Sequence, residues 1–178
     1  VNFCTDRQSN QVLVMDIPQE LIDCCPTADE VMMYPGWSPH ENISSGQSQH
    51  VYRTGIGWKD RSVFPKEFVG WVDAIGCNQI SLFGSMGAEG ASYGLPWHHD
   101  QYWVYSWNLE GETTWEYFDM PTGEIKTLHL GEMDQMVMMP IGTPHRVLLR
   151  SEDRTSISIV RNGSKDNMDH DYRQQDTE

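Results

Sequence analysis

The chain has few basic residues and no long apolar run. Its 12 Lys and Arg stand against 26 Asp and Glu, which gives a net charge of −14. A field of that sign repels the phosphates of nucleic acids and anionic lipid surfaces. No apolar run of about 18 residues, the length needed to cross a bilayer, occurs. The composition therefore argues against a nucleic-acid binder and a membrane binder, and it favours a neutral or cationic partner.

Signals for export and for disulfide formation are also missing. The first residues, VNFCTDRQSN, lack the basic and apolar stretches of a secretion signal. The four cysteines contain no CxxC pair, and the neighbours Cys24 and Cys25 are poorly placed to bridge each other. We therefore expect a cytoplasmic protein with reduced thiols.

The chain does contain enough apolar and aromatic material for one core. Its 178 residues fit one ordinary domain, and its seven Trp exclude a wholly disordered chain. We expect a single domain over residues 1–178. It would consist of a helical and loop-rich cover at 1–78, a β-barrel core at 79–162 and a frayed acidic tail at 163–178.

Two helices are predicted in the cover. Residues 16–25 carry Pro18 in the first turn and an apolar stripe, and residues 62–76 begin with a serine cap and end at Gly76. The stretch between them is rich in Pro, Gly and Ser, which favour turns over regular structure. We expect a long loop there, and residues 34–52 are a candidate lid.

Short runs of β-forming residues follow one another closely from residue 79. Turns rich in Gly and Pro separate the runs QISLFG, QYWVYSWNL, TTWEYFD, EIKTLHL, QMVMMP, HRVLL and TSISIV. Seven or eight strands in about 80 residues are typical of a sandwich or a small barrel. The predicted helices would cover one outer face of it.

Two segments carry the residues of a metal site. His98, His99 and Asp100 are predicted to lead into a strand, and because strand side chains alternate, His98 and Asp100 would face one way and His99 the other. A tight turn at 140–144 brings His145 to the start of a later strand. Two histidines and one carboxylate form the set that holds Fe(II) with open positions. His99 would replace His98 only if the strand register slipped.

These motifs resemble those of the cupin and JmjC-like double-stranded β-helix oxygenases. The resemblance covers about residues 79–162, and the segments that carry it are HHD at 98–100, LEGETTW at 109–115, LGEMDQMVMMPIGTPHRV at 130–147 and DRTSISIV at 153–160. It implies a mostly β fold, the double-stranded β-helix (jelly-roll or cupin barrel), with the N-terminal helices packed on one face. It also implies a non-haem Fe(II)- and 2-oxoglutarate-dependent dioxygenase of the hydroxylase type. Where four-ligand cupins have a Glu, this chain has Val104 and Tyr105, which favours a three-ligand Fe(II) site over a Mn or Zn site.

The resemblance further implies a cation that binds the far carboxylate of 2-oxoglutarate. The usual JmjC lysine position is Thr113, which is uncharged. In the prolyl-hydroxylase-like branch an Arg follows the second His by about nine residues, and Arg154 matches it, with Ser156 beside it. The alternatives for the cation are Arg146, Arg150 and Arg161.

Strand alternation predicts which side chains face the barrel interior. Arg154, Ser156 and Ser158 would form a polar inward face, and Trp103, Tyr105, Trp107 and Leu109 would form the core under the helices. The candidate substrate pocket consists of Tyr102, Trp115 and Tyr117.

Two other functions stay open on the sequence. One is a cupin metalloenzyme that does not use 2-oxoglutarate, which would be indifferent to replacement of Arg154. The other is a binding module without turnover, which Fe(II) or Mn(II) would not stabilise. For the oxygenase, the expected substrates are dioxygen and a neutral or cationic peptide side chain or small metabolite.

Overall fold

The computed structural model describes residues 11–34, 38–39, 49–53, 61–85, 92–149 and 153–161. Most of the candidate lid at 34–52 and all of the tail at 163–178 therefore lie outside the described residues. The helices are α1 (Gln19–Cys24), α2 (Ala28–Met32) and α3 (Lys66–Ala74). The strands are β1 (Leu13–Asp16), β2 (Ser38–Pro39), β3 (Gln49–Arg53), β4 (Cys77–Ser85), β5 (Ser92–His98), β6 (Trp103–Glu110), β7 (Thr113–Asp119), β8 (Glu124–Leu130), β9 (Gln135–Met139), β10 (His145–Leu149) and β11 (Arg154–Arg161).

The strands form two antiparallel sheets. The larger sheet has the order β1-β9-β6-β11-β4-β3-β2, and the smaller has the order β5-β10-β7-β8. Their inner faces meet in one apolar cluster, in which Val104, Val137 and Val160 of the larger sheet pack with Trp115 and Val147 of the smaller. Strands β4 to β11 are thus divided between two four-stranded layers, β4-β11-β6-β9 and β5-β10-β7-β8, around a shared interior.

The N-terminal helices cover the outer face of the larger sheet. Leu21 of α1, Val31 of α2 and Phe68 of α3 are fully buried in a second cluster against that face. Trp107 of β6 lies beneath them, and its ring meets the ring of Phe68 edge-on at 6.4 Å. Burial of such large rings stabilises the contact between helix and sheet. The predicted position of the helices on one face is confirmed.

The first 78 residues hold more regular structure than their sequence predicts. Asp16, the expected start of the first helix, ends β1, which extends the larger sheet by pairing with β9. Helix α2 was not predicted, although a capping box begins it. The Thr27 hydroxyl accepts from the Glu30 N–H, and the Glu30 carboxylate accepts from the Thr27 N–H. The second predicted helix begins with a 3-10 turn at Arg61–Val63 and continues as α3. Within the described ranges, no helix is long and apolar enough to cross a membrane.

Candidate metal centre

His98, Asp100 and His145 lie together at one end of the barrel interior. One ligand atom from each of them can be chosen so that all three lie within 4.8 Å of one another. His145 Nε2 is 3.6 Å from Asp100 Oδ2, and the rings of His98 and His145 are 4.2 Å apart. The three side chains that the sequence predicts as metal ligands are therefore adjacent.

Two backbone features bring the three side chains together. His98 is the last residue of β5 and pairs directly with His145, the first residue of β10. The turn before β10 is then fastened to the loop after β5, because the N–H of Gly142 donates to the carbonyl of Asp100 at 2.8 Å. Gly142 has a φ of +75°, a conformation that glycine adopts without strain.

The sequence-based reason for pairing His98 with Asp100 was wrong. The segment from His98 to Asp100 does not lead directly into a strand. Strand β5 ends at His98, and the next strand begins only at Trp103. The loop between the strands, rather than strand alternation, places the Asp100 carboxylate beside the two imidazoles.

Hydrogen bonding fixes which nitrogen of His145 faces Asp100. Nδ1 of His145 lies 2.8 Å from the carbonyl of Thr143, and because a carbonyl only accepts, Nδ1 must carry the proton. Burial, helped by the nearby His98, holds the pKa of His145 well below its ordinary 6.5. The ring is therefore neutral, and Nε2 presents a lone pair towards the Asp100 carboxylate. Two facing acceptors with no proton between them fit a cation, so the donor set suits a divalent metal.

The metal-free protein is expected to lose stability below pH 6.5 because of His145. As the pH falls, the unfolded chain takes up a proton at the ordinary pKa of 6.5, whereas the folded chain does not. The free energy of unfolding should then fall by about 1.4 kcal/mol per pH unit from this residue. Urea unfolding in EDTA at about pH 7.5 and 5.5, on wild type and His145→Gln, measures it. If the free energy of unfolding falls no more in wild type than in His145→Gln, His145 is not held neutral in the folded protein.

The three side chains open into a cavity between the sheets. Gln79 and Ser81 of β4, Tyr102 and Val104 on the β6 side, and Trp115 of β7 also line it. Trp115 stacks against His145, with ring centroids 5.5 Å apart and planes 22° apart. The stack holds one face of the imidazole away from solvent.

A second cavity adjoins the first and holds Arg154. Phe83, Trp115 and Ser158 line both cavities. Arg154 is 3% exposed, and its Nη1 donates to Ser156 Oγ at 3.0 Å. Burial lowers the pKa of Arg154 to about 9, so the side chain stays a cation at neutral pH. The interior of the barrel thus holds a buried positive charge next to the cluster of His98, Asp100 and His145.

Asn108 of β6 connects the arginine cavity to Trp115. Its Oδ1 accepts from Ser156 Oγ at 2.7 Å, and its Nδ2 donates to Thr113 Oγ1 at 3.1 Å and to the Leu130 carbonyl at 2.9 Å. Trp115 Nε1 also donates to Thr113 Oγ1, at 3.2 Å. A continuous polar network therefore runs from Arg154 to the tryptophan that stacks on His145.

Replacing Asn108 with leucine is expected to lower the free energy of unfolding by about 2–3 kcal/mol. The side chain is 1% exposed, so the Leu130 carbonyl and the Ser156 hydroxyl would lose a partner that water cannot replace. Urea unfolding checks the effect, and Thr127→Val on the exposed strand β8 is the control, expected to change stability by less than about 0.5 kcal/mol. Equal stability of the two variants would show that the network contributes nothing to the free energy of unfolding.

The remaining predicted residues take the following places. Thr113, Ser156 and Ser158 line the arginine cavity, as their predicted inward direction requires. Tyr102 and Trp115 line the metal cavity. Tyr117 is half-buried against the inner cluster and pairs with His145 across the strands.

The alternative cations lie elsewhere or are not described. Arg146 forms an ion pair with Glu116 and places its guanidinium carbon 5.0 Å from the centroid of the Trp97 ring. Arg161 ends β11, where it lies against Gly76. Arg150 is outside the described residues. Of the three arginines that the structure describes here, Arg154 is the one that lines the interior.

Gln79, Ser81, Phe83 and Asn108 line or support the cavities and were not predicted as site residues. A signal for Gln79 and Ser81 was present, because QISLFG places these polar residues at alternate positions of a run that is otherwise apolar. Without the partner strand, these positions could not be distinguished from an exposed strand face.

The chain is similar in fold to solved structures of low sequence identity. The X-ray structure of ycfD from E. coli is 12% identical, with 94% of this chain and 54% of that chain covered and a TM-score of 0.56. The coconut allergen cocosin is 12% identical over 67% of this chain and 28% of its own, with a TM-score of 0.47. A variant of oxalate decarboxylase from Bacillus subtilis is 15% identical over 73% of this chain and 29% of its own, with the same TM-score of 0.47.

The chain therefore spans about half the length of ycfD and less than a third of the other two proteins. No family model and no curated protein matches the sequence. The strand order of the two layers and the likeness to ycfD support the same conclusion. The chain has the mostly β, double-stranded β-helix fold of the jelly-roll and cupin proteins.

Proposed function

We propose that this protein is a non-haem Fe(II)- and 2-oxoglutarate-dependent oxygenase of the hydroxylase type. The observation that carries the proposal is the pair of adjoining cavities, one holding the His98–Asp100–His145 cluster and the other a buried arginine. A cosubstrate that chelates a metal through one end and carries a carboxylate at the other requires both features.

His98, Asp100 and His145 would hold the iron. Two neutral imidazoles and one carboxylate suit Fe(II), and three protein ligands leave positions for 2-oxoglutarate and dioxygen. The hydrogen bond from His145 Nδ1 to the Thr143 carbonyl orients the imidazole and makes it a better ligand. When bound, the iron supplies the activation of dioxygen, which no protein side chain can perform.

Arg154, Ser156 and Thr113 would receive the far carboxylate of 2-oxoglutarate. A buried cation loses its hydration, which is why burial lowers the pKa of Arg154 to about 9, and an incoming carboxylate offsets that cost. The Ser156 and Thr113 hydroxyls line the same cavity and are held by Asn108. Their geometry is therefore established before the anion arrives.

Apolar side chains separate this chemistry from solvent. Val104, Val147 and Trp115 are at most 6% exposed, and they wall the space between the two sheets. Exclusion of water strengthens the electrostatic contacts of the anion and limits side reactions. Each turnover would convert dioxygen and 2-oxoglutarate to succinate and carbon dioxide, with one oxygen atom entering succinate and the other the hydroxyl group of the product.

The substrate would be a small metabolite or a peptide side chain that is neutral or cationic. The net charge of −14 disfavours approach of a polyanion such as a nucleic acid, and it disfavours binding to an anionic membrane.

The proposal is tested by the formation of succinate from 2-oxoglutarate. Wild-type protein with Fe(II) and dioxygen is expected to release succinate slowly without a substrate and faster with a correct one, whereas His145→Ala should release none above background. If substrate conversion proceeds without 2-oxoglutarate, the cupin metalloenzyme takes the place of the oxygenase. If the wild type releases no more succinate than the variant and binds no metal, the protein is a binding module without turnover.

A further inference from the structure

Gln79 is a buried amide in the metal cavity to which the proposed chemistry assigns no role. It lies on β4, is 4% exposed, and lines the cavity together with His98, Asp100 and His145. A glutamine at this position is costly, because a buried amide needs partners for both of its ends.

The side chain has a partner at one end only. Its Nε2 donates to Ser81 Oγ at 3.1 Å. Its Oε1 is buried and has no hydrogen-bond donor in the part of the chain that the structure describes. A buried acceptor without a donor destabilises the fold, and such groups are kept where a ligand completes them.

The strand register places Gln79 away from the proposed 2-oxoglutarate site. Gln79 pairs with Val160 of β11, whereas Arg154 pairs with Ser85 of β4. Ser85 is six positions along β4 from Gln79, about 20 Å of strand, and Gln79 lines the metal cavity but not the arginine cavity. Gln79 therefore lies in the part of the metal cavity that is farther from the Arg154 backbone.

The surroundings of the free oxygen select the kind of group that it can bind. Phe83 and Val160 line the same cavity and are 9% and 3% exposed, so a charged group would lose its hydration there. Since Oε1 is the atom that lacks a partner, the amide offers an acceptor to a ligand, and a carboxylate or ketone has no proton to give it.

We propose that Gln79 is a substrate-recognition residue that binds an uncharged N–H group, such as that of a carboxamide or a peptide bond, beside the metal. The substrate would thus be an amide-bearing molecule whose N–H donates to Gln79 Oε1. This inference rests on the metal site of the proposed function, but it does not depend on the use of 2-oxoglutarate.

The test compares two probes of equal shape on the Mn(II)-loaded protein. Butyramide carries an NH₂ group where 2-pentanone carries a methyl group, and paramagnetic enhancement of proton relaxation reports binding of either one near the metal. Wild type should bind butyramide about tenfold more tightly than 2-pentanone. Gln79→Met should lose this preference, and Asn78→Ala, at an exposed position on the same strand, should keep it.

A second variant is expected to change the preferred ligand from a neutral amide to a cation. Gln79→Glu keeps an acceptor and adds a negative charge, so its preference should shift from butyramide to the butylammonium ion. Unchanged Mn(II) affinity shows that each variant is folded, and the metal-free Gln79→Met protein should melt no lower than wild type because it no longer buries an unpaired carbonyl.

Equal binding of the two probes by wild type, or an unaltered preference in Gln79→Met, would overturn the inference. The outcome is separate from that of the oxygenase proposal. A protein that selects butyramide but does not bind 2-oxoglutarate keeps the amide site and loses the oxygenase. A protein that binds 2-oxoglutarate but does not distinguish the probes keeps the oxygenase and loses the amide site.

Discussion

Asp100→Ala is expected to weaken Fe(II) binding by at least about 100-fold and to abolish turnover. Loss of residues that merely support a metal ligand commonly costs 10- to 100-fold in affinity, and loss of a ligand costs at least as much. In this site the carboxylate is the single negative charge of the cluster His98, Asp100 and His145, so its removal leaves two neutral imidazoles. Isothermal titration under anaerobic conditions measures the affinity.

The neighbouring histidine supplies the control for Asp100→Ala. His99 is exposed and is not part of the three-residue cluster, so His99→Ala should bind Fe(II) within about twofold of wild type. The melting temperature gives a second measurement, since Fe(II) should stabilise wild type and His99→Ala but not Asp100→Ala. Equal loss of iron in both variants would mean that the metal lies elsewhere.

Arg154→Met is expected to raise the concentration of 2-oxoglutarate needed for half-saturation by about 100-fold while Fe(II) affinity stays nearly constant. A hydrogen bond to a charged group contributes about 1.5–3 kcal/mol, and the planar guanidinium can make two such bonds to one carboxylate. Methionine fills a similar volume without charge, so that the fold is retained. The half-saturating concentration follows from titrations at fixed Fe(II).

The matched control for this variant is Arg146→Met. Arg146 lies on β10 of the smaller sheet, where it forms an ion pair with Glu116, and it does not line the arginine cavity. Its replacement should leave the 2-oxoglutarate requirement unchanged. If Arg154→Met lowers the affinity for iron as strongly as the affinity for 2-oxoglutarate, the assignment of the metal and the anion to separate cavities is wrong.

Most of the barrel could be predicted from the sequence because its strands are short, regular and bounded by turns. The predicted bounds of β7, β8 and β10 match the structure. Alternation also predicted correctly that Trp107 faces the helices and that Arg154 faces the interior. A period of two residues is enough to assign faces when each strand packs on both sides.

Strand β5 shows where that method fails. It begins at Ser92, in the glycine-rich stretch between QISLFG and QYWVYSWNL, where the sequence predicts a turn. Its partners are residues of β10, about 50 positions later in the chain, and short-range patterns contain no information about them. The three candidate ligands could be named from the sequence, but the loop that positions Asp100 could not be predicted.

The polar contacts of the interior could not be predicted for the same reason. The bonds from Ser156 to Asn108 and from Ser158 to Ser106 join residues about 50 positions apart. Strand alternation places each of these side chains inside the barrel, but only the register between β6 and β11 determines which of them meet. The unpaired oxygen of Gln79 is likewise visible only when its neighbours are in place.

The most direct measurement is an anaerobic titration of the Fe(II)-loaded protein with 2-oxoglutarate, followed by the visible charge-transfer band of the chelated complex. A saturable band is expected for wild type. The band should be absent in His145→Ala and should require a much higher concentration of 2-oxoglutarate in Arg154→Met. A wild-type protein that binds Fe(II) but forms no band at any concentration would contradict the assignment of 2-oxoglutarate to the arginine cavity and leave a metal-binding cupin with another chemistry.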